Sequence, residues 1–342
     1  MSRDRALTLL RIVVALLVLG VVVWGVARNW SQISVDLTRV DIGSLALSTL
    51  FAALGTWLTM LGWRVLLTDL GSPLHLAPAA GVFFVGQLGK YLPGSVWSVV
   101  AQADMASRLE VPRRRTGVVG LVTLGLSVVT GLLVGLAAVP HLTRTGGTTL
   151  SVVLVVGLVV LLVLCWPATL NRVVALGLRV LRREPLEREL SARAVLLTVG
   201  LYISAWVCFG GHVLILARAV GGPGTRAGLT TASLTGYALA GSLGALTVIL
   251  PAGLGAREGL LTLVLGSAMS TPGAAAVAII SRFVVTVVDV VAALAGWTYA
   301  RRHQLLNSAG SDTGQVTVAR TEPGTRDDPG SGAAQVPPHS CR

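Results

Sequence analysis

The apolar residues of this chain fall into long runs separated by short polar segments. A helix needs about 20 apolar residues to cross the hydrocarbon core of a bilayer. Six runs reach that length, and we predict each to be a full membrane span: Leu7 to Ala27, Ser44 to Leu67, Thr116 to Val139, Thr148 to Pro167, Ala194 to Ala217 and Gly273 to Ala300. The first run is too long for a signal peptide and lacks a cleavage pattern, so we expect it to be retained.

Two further apolar regions, Pro78 to Met105 and Leu229 to Ser267, are interrupted near their middles by proline and glycine. Proline ends a helix and glycine permits a tight turn. We therefore predict that each region is a re-entrant hairpin of two half-helices, and the alternative is that both cross fully, giving eight spans. The predicted breaks are at Pro93, Gly94, Pro251, Gly253 and Gly255.

The arginines test this arrangement, because loops on the cytoplasmic side of a membrane protein carry an excess of basic residues. With two re-entrant hairpins, the arginine-rich loops all fall on one side, whereas the eight-span alternative would put Arg113 to Arg115 outside. We therefore expect both termini to be cytoplasmic, in a multi-pass protein of the cell membrane. The cytoplasmic set is Arg3, Arg5, Arg108, Arg113, Arg114, Arg115, Arg172, Arg179, Arg182, Arg183, Arg188, Arg193, Arg301 and Arg302, with Arg11 and Arg64 at the inner ends of the first two spans. The outside loops keep only the single arginines Arg28, Arg39, Arg144, Arg218 and Arg226.

The two broken regions would then enter from opposite faces of the membrane, which is the relation that an inverted repeat produces. The pattern Gly86-x-x-Gly89 precedes Pro93, and Gly241-x-x-Gly244 precedes Pro251. Chance similarity between glycine-rich segments is the alternative to a repeat.

Composition agrees with a lipid environment. The chain is 53% hydrophobic and 12% charged with a mean hydropathy of +0.77, too apolar for a soluble domain of this size. The net charge of +12 follows the loops rather than one solvated face, so it indicates topology and not nucleic-acid binding. We predict a membrane domain at 1–303 and, from its polar composition, a disordered cytoplasmic tail at 304–342. No residue spacing suggests a metal site or a cofactor.

Lys90, the only lysine in the chain, lies beside the first break in the segment GQLGKYLPGSVW. A charge at membrane depth is costly, so Lys90 is a candidate functional residue, unless it extends to the membrane surface. Gly94 and Ser95 are suited to starting a new helix, whose N-terminus would favour a phosphate or a carboxylate.

The second break, in LPAGLGAREG, is followed by Arg257 and Glu258. This pair is either part of a binding site or an ion pair that only links helices. In the last span, Arg282 and Asp289 are seven residues apart, hence on one helical face about 10 Å apart. That distance is too long for a direct bond, so we expect Glu258 and Arg257 to be their partners. His212, within a span, is interpreted as a structural histidine bonded to a neighbouring helix.

At the segments GQLGKYLPGSVW and LPAGLGAREG, the sequence resembles the transmembrane domain of lysylphosphatidylglycerol synthases, a flippase-like family. The resemblance covers roughly the whole membrane part and implies a stand-alone member without the synthase domain. It implies movement of a lipid between leaflets. The residues that carry it are Gly86, Gly89, Lys90, Pro93, Gly94, Trp97, Pro251, Gly253, Gly255, Arg257, Glu258 and Gly259.

The sequence therefore predicts an all-α membrane bundle that moves an anionic or aminoacylated phospholipid, or a lipid-linked headgroup, and is not an enzyme. The expected partner is a phosphate-bearing lipid, with a second copy or a separate synthase as further candidates. One alternative is a membrane-embedded enzyme of lipid modification with Glu258 or Asp289 as its acid or base. The other is a noncatalytic membrane partner protein. The predicted substrate-binding residues are Lys90, Gly94, Ser95, Arg257, Glu258, Arg282 and Asp289.

Overall fold

The computed structural model describes residues 40–91, 96–136, 152, 156–157, 159–180, 182–221, 228–246 and 255–302. Within these residues the regular structure is helical and no strand occurs, which confirms the all-α prediction. The delimited helices are α1 (Ile42–Asp69), α2 (Leu76–Gln87), a 3-10 helix (Leu88–Tyr91), α3 (Trp97–Ser107), α4 (Arg113–Leu136), α5 (Pro167–Val180), α6 (Ala192–Gly221), α7 (Leu229–Leu246), α8 (Ala256–Leu265) and α9 (Thr271–Arg302).

Four of the described helices are long and apolar enough to cross a membrane: α1, α4, α6 and the part of α9 from Thr271 to Tyr299. They confirm four of the six predicted spans. The run from Leu7 to Ala27 lies outside the described residues. Eight of the 20 residues from Thr148 to Pro167 also lie outside them, and the described positions 152, 156–157 and 159–164 are helical. The arginine-rich segment after Pro167 was expected to be a loop, but Pro167 and the 13 residues after it form α5.

The first broken region is a hairpin of half-length helices, as predicted. Gly86 packs against Gln102, and Gly89 packs against Ser98, so the partner moves back along α3 as the chain advances from α2 into the 3-10 helix. This register makes α2 and α3 antiparallel. At 12 and 11 residues, they are each about 17 Å long by helix rise, roughly half of a bilayer core.

Glycine is required at this contact. A Cβ at position 89 would lie 2.6 Å from the backbone nitrogen of Ser98, which leaves no space for a side chain. The predicted break residues Pro93, Gly94 and Ser95 lie outside the described residues.

The second broken region likewise consists of two helices, α7 and α8, which pack together where Gly236 contacts Leu261 and Val264. Helix α8 has only 10 residues, about 15 Å by helix rise. Gly255 precedes it with a φ of +81°, a conformation that favours glycine. Pro251 and Gly253 lie outside the described residues.

Helices α1 and α6 form an antiparallel pair. Gly55 contacts Phe209, and seven residues later in α1, Gly62 contacts Tyr202, seven residues earlier in α6. Antiparallel packing of the two helices is the relation expected if they begin two halves of inverted topology.

The two halves, α1–α4 and α6–α9, also contact each other through matching helices. Helix α2 meets α9, where Gly81 and Gly296 approach each other, and α7 meets α4, where Gly135 contacts Leu239. The second helix of each half therefore packs on the last helix of the other. Two-fold related units exchange contacts in this way, so the packing supports an inverted repeat of α1–α4 and α6–α9.

His212 joins three helices of the bundle. It is fully buried, with Nδ1 2.6 Å from the hydroxyl of Ser48 in α1 and Nε2 2.8 Å from that of Ser281 in α9. Both ring nitrogens are satisfied by serine hydroxyls, which confirms its interpretation as a structural histidine.

Candidate functional site

The ends of the two hairpins meet on one face of α9. The 3-10 helix that ends the first half-helix carries Lys90, and the start of α8 carries Arg257 and Glu258. Arg282 and Asp289 lie on α9, and both side chains face inward, at 13% and 2% exposure. We call these five residues the charged cluster.

Asp289 is the most buried member of the charged cluster. The ammonium of Lys90 lies 2.7 Å from its Oδ2, and the hydroxyl of Tyr91 donates to the same oxygen at 2.7 Å. The structure therefore pairs Lys90 with a buried carboxylate instead of extending it to the membrane surface. The Lys90 side chain is still 32% exposed, so it stays accessible to a ligand.

Glu258 has two roles at the start of α8. Its Oε2 accepts a hydrogen bond from the backbone nitrogen of Gly255 at 2.7 Å, which caps the helix. Its Oε1 lies 3.2 Å from a guanidinium nitrogen of Arg282, which confirms the predicted pairing of these two residues. The N-terminus of α8 is thus occupied by a carboxylate of the same helix.

Arg257 is held by an aromatic residue. It donates a hydrogen bond to the hydroxyl of Tyr237, and its guanidinium carbon lies 4.6 Å from the centre of that ring. Among the described residues, no carboxylate lies within 4 Å of the guanidinium. The prediction that Arg257 pairs with Asp289 was wrong, because the 3-10 end of the first hairpin brings Lys90 and Tyr91 to that carboxylate.

The charged cluster carries a net positive charge. Lys90 and Arg282 are each matched by one carboxylate, and Arg257 is the third cation. A charge without a counterion inside a membrane protein is costly, and its neutralisation by an incoming anion is correspondingly favourable. The site is therefore suited to binding one negative group.

Two tyrosines of the site were missed by sequence reasoning. Tyr91 contacts Asp289, and its ring centre lies 5.9 Å from the guanidinium carbon of Arg282, so it touches both ion pairs. Tyr237 is buried and stacks on Phe209 at 5.4 Å between ring centres. A buried tyrosine needs a partner for its hydroxyl, and that requirement was the signal available at both positions.

An apolar groove begins along α9 at Val287 and Val288, next to Asp289 in the chain. Its volume is about 450 Å³, and it lies between α1, α2 and α9. Phe84 and Val288 line it, and these residues precede Lys90 and Asp289 on the same two chain segments. The other lining side chains are mostly apolar and include Trp57, Val291, Ala292 and Tyr299. No member of the charged cluster is among the described residues that line the groove.

Some predicted positions lie outside the described residues, namely Gly94 and Ser95 together with Pro93, Pro251 and Gly253. Within the described part, no group of three or more His, Cys, Asp or Glu side chains is arranged to hold a metal ion.

Long apolar helices, two pairs of helices from the broken regions and an ionic cluster where those pairs meet define a polytopic helical membrane protein with an internal polar site. The lysylphosphatidylglycerol synthase TM region matches this sequence over residues 9–293. The chain belongs to that family, which implies a membrane-associated role related to lipid. No curated protein matches the chain.

Proposed function

We propose that the protein moves an anionic or aminoacylated phospholipid, or a lipid-linked headgroup, between the two leaflets of the cell membrane. The observation that carries the proposal is the third cation of the charged cluster, Arg257, which has no carboxylate partner among the described residues. A planar guanidinium can bind phosphate oxygens through two parallel hydrogen bonds. Lys90, partly exposed, supplies a second cation for the same headgroup.

The apolar groove supports a lipid as the substrate rather than a free anion. Along α9 it extends from Val287 to Tyr299, about 18 Å by helix rise, which is close to the thickness of one leaflet's hydrocarbon. A headgroup at the charged cluster can therefore keep one acyl chain in an apolar environment beside it.

The ion pairs suggest how the site alternates between leaflets. The ion pair between Lys90 and Asp289 joins the first hairpin to α9. The ion pair between Glu258 and Arg282 joins the second hairpin to the same helix. A bound phosphate competes with the carboxylates for these cations, so binding weakens one connection and favours movement of a hairpin. Inverted repeats convert such movement into alternating exposure of a site at membrane depth.

The engagement of both carboxylates favours transport over chemistry. Asp289 accepts from Lys90 and Tyr91, and Glu258 accepts from Arg282 and from the backbone of Gly255. A general acid or base needs access to a substrate proton, whereas these groups hold helices together.

From the arginine distribution we place both termini in the cytoplasm.

Reconstitution of the full chain tests the proposal. Vesicles would contain a trace of headgroup-accessible fluorescent phosphatidylglycerol, lysylphosphatidylglycerol or phosphatidylcholine, and the fraction protected from an impermeant quencher would be followed over time. We expect faster exchange for the anionic or aminoacylated probe than in protein-free vesicles, with an unchanged lipid mass. A changed lipid mass would indicate an enzyme, and protein-free rates for all probes would refute transport.

A further inference from the structure

Helix α5 has three distinct faces. One face packs against the bundle, where Leu170 and Val174 contact the apolar core and Leu178 is buried. A second face is apolar but exposed, and a third carries the exposed arginines Arg172 and Arg179. The exposed apolar face consists of Val173, Leu176 and Val180, at spacings of three and four residues that bring them to one side, and the exposed Trp166 directly precedes the helix.

The position of α5 is set by polar contacts at one end of the bundle. The side chain of Asn171 exchanges two hydrogen bonds with the backbone of Leu190, at 2.9 and 3.1 Å. The next residue, Ser191, bonds through its backbone and its hydroxyl to Asp69, the last residue of α1. Because α1 is long and apolar enough to span the membrane, α5 lies at the level where a span ends.

We infer that α5 lies along the membrane interface, with its exposed apolar face in the hydrocarbon boundary and with Arg172 and Arg179 bound to anionic phospholipid headgroups. A helix with apolar and basic faces adopts this orientation on a membrane surface. Neither arginine has a carboxylate within 4 Å among the described residues, so both charges are available to phosphate groups.

The charge around the helix favours anionic over zwitterionic lipid. Arg182 and Arg183 follow α5 and are also exposed. The exposed carboxylates of Glu184 and Glu187 beyond them are each paired with an arginine of α4. Each basic residue near an anionic leaflet strengthens the attraction by about 1 kcal/mol, equivalent to about five-fold. A protein partner on this surface would instead keep acyl chains away from Leu176.

A local quenching measurement tests the inference on the full chain. Cys165, Cys208 and Cys341 are replaced by alanine, and Leu176→Cys carries a bimane fluorophore on the exposed apolar face. The protein is reconstituted into mixed phosphatidylglycerol and phosphatidylcholine vesicles, with brominated acyl chains on one lipid at a time. Quenching then reports which lipid contacts the helix.

We expect both brominated lipids to quench the fluorophore, and phosphatidylglycerol to quench it more at equal mole fraction. Arg172→Gln with Arg179→Gln should remove most of the phosphatidylglycerol excess, the paired lysine substitutions should retain it, and Arg218→Gln at the other end of α6 should leave it unchanged. If neither brominated lipid quenches the fluorophore, the interfacial position of α5 is overturned. Equal quenching by both lipids in the otherwise unchanged chain would overturn the anionic preference.

Discussion

The ammonium of Lys90 lies 2.7 Å from the carboxylate of Asp289, which joins the first hairpin to the last helix of the second half. Asp289 is nearly inaccessible, whereas Lys90 is one-third exposed. If one partner of the ion pair is removed, water can therefore reach Lys90 more easily than Asp289. This asymmetry has a measurable consequence for stability.

Lys90→Gln should destabilise the protein more than Asp289→Asn. The first change leaves a buried carboxylate with only Tyr91, and loss of one partner from a buried pair costs roughly 3–5 kcal/mol. The second leaves a lysine that water can reach, so its cost should be smaller. Thermal unfolding in detergent measures both, and the double variant should recover part of the loss. The opposite order would contradict the assigned geometry.

Glu258 should separate folding from function. Glu258→Gln keeps an oxygen that can accept from the Gly255 nitrogen but removes the charge facing Arg282. We expect retained folding with loss of lipid transfer, whereas Glu258→Ala should also lose about 1 kcal/mol through loss of the helix cap. A cycle with Arg282→Gln should show a coupling of about 0.5–3 kcal/mol in unfolding. Independent effects of the two changes would exclude the pair.

Tyr237 should control the orientation of Arg257. Tyr237→Phe retains the stacking with Phe209 and the ring beneath the guanidinium, but removes the hydroxyl that accepts from Arg257. Stability should fall by no more than about 1–2 kcal/mol, while lipid transfer falls several-fold. The matched control is Tyr202→Phe, at the other buried tyrosine of α6 and α7. Equal transfer in the two variants would refute a positioning role.

The close contact of the first hairpin should not tolerate a side chain. Gly89→Ala would place Cβ 2.6 Å from the Ser98 backbone, so we expect poor expression or a large fall in melting temperature. Gly125→Ala is the matched control, because a Cβ there meets nothing within 4 Å and alanine favours a helix by roughly 0.5–1 kcal/mol. Similar stability for both variants would show that the 3-10 helix and α3 do not approach each other as described.

Much of the fold follows from simple patterns in the chain. Apolar length predicted α1, α4, α6 and α9, and proline with glycine predicted the interrupted regions, because these features act within one segment. The amphipathic helix α5 was missed since its arginines matched the composition of a cytoplasmic loop. Helical periodicity after Pro167 was the overlooked indication.

The candidate site was predictable as a set of residues but not as a set of pairs. Ionisable side chains in apolar surroundings identified Lys90, Arg257 and Asp289. Which cation meets which carboxylate depends on how the hairpin ends are placed around α9, and that is decided by packing between distant segments. Tyr237 was missed because a tyrosine in an apolar helix also suits an ordinary core position.

Arg257 is the cation that we propose receives the lipid phosphate. The rate at which the Arg257→Gln protein moves lipid between leaflets tests this role. Exchange of fluorescent phosphatidylglycerol in vesicles would be compared with that of Arg218→Gln, the same charge change at an exposed position in the last turn of α6. We expect at least a ten-fold lower rate for Arg257→Gln, equivalent to about 1.4 kcal/mol, with partial recovery in Arg257→Lys and an unchanged rate for Arg218→Gln. A stable, folded Arg257→Gln protein that transfers this lipid at the unaltered rate would contradict it.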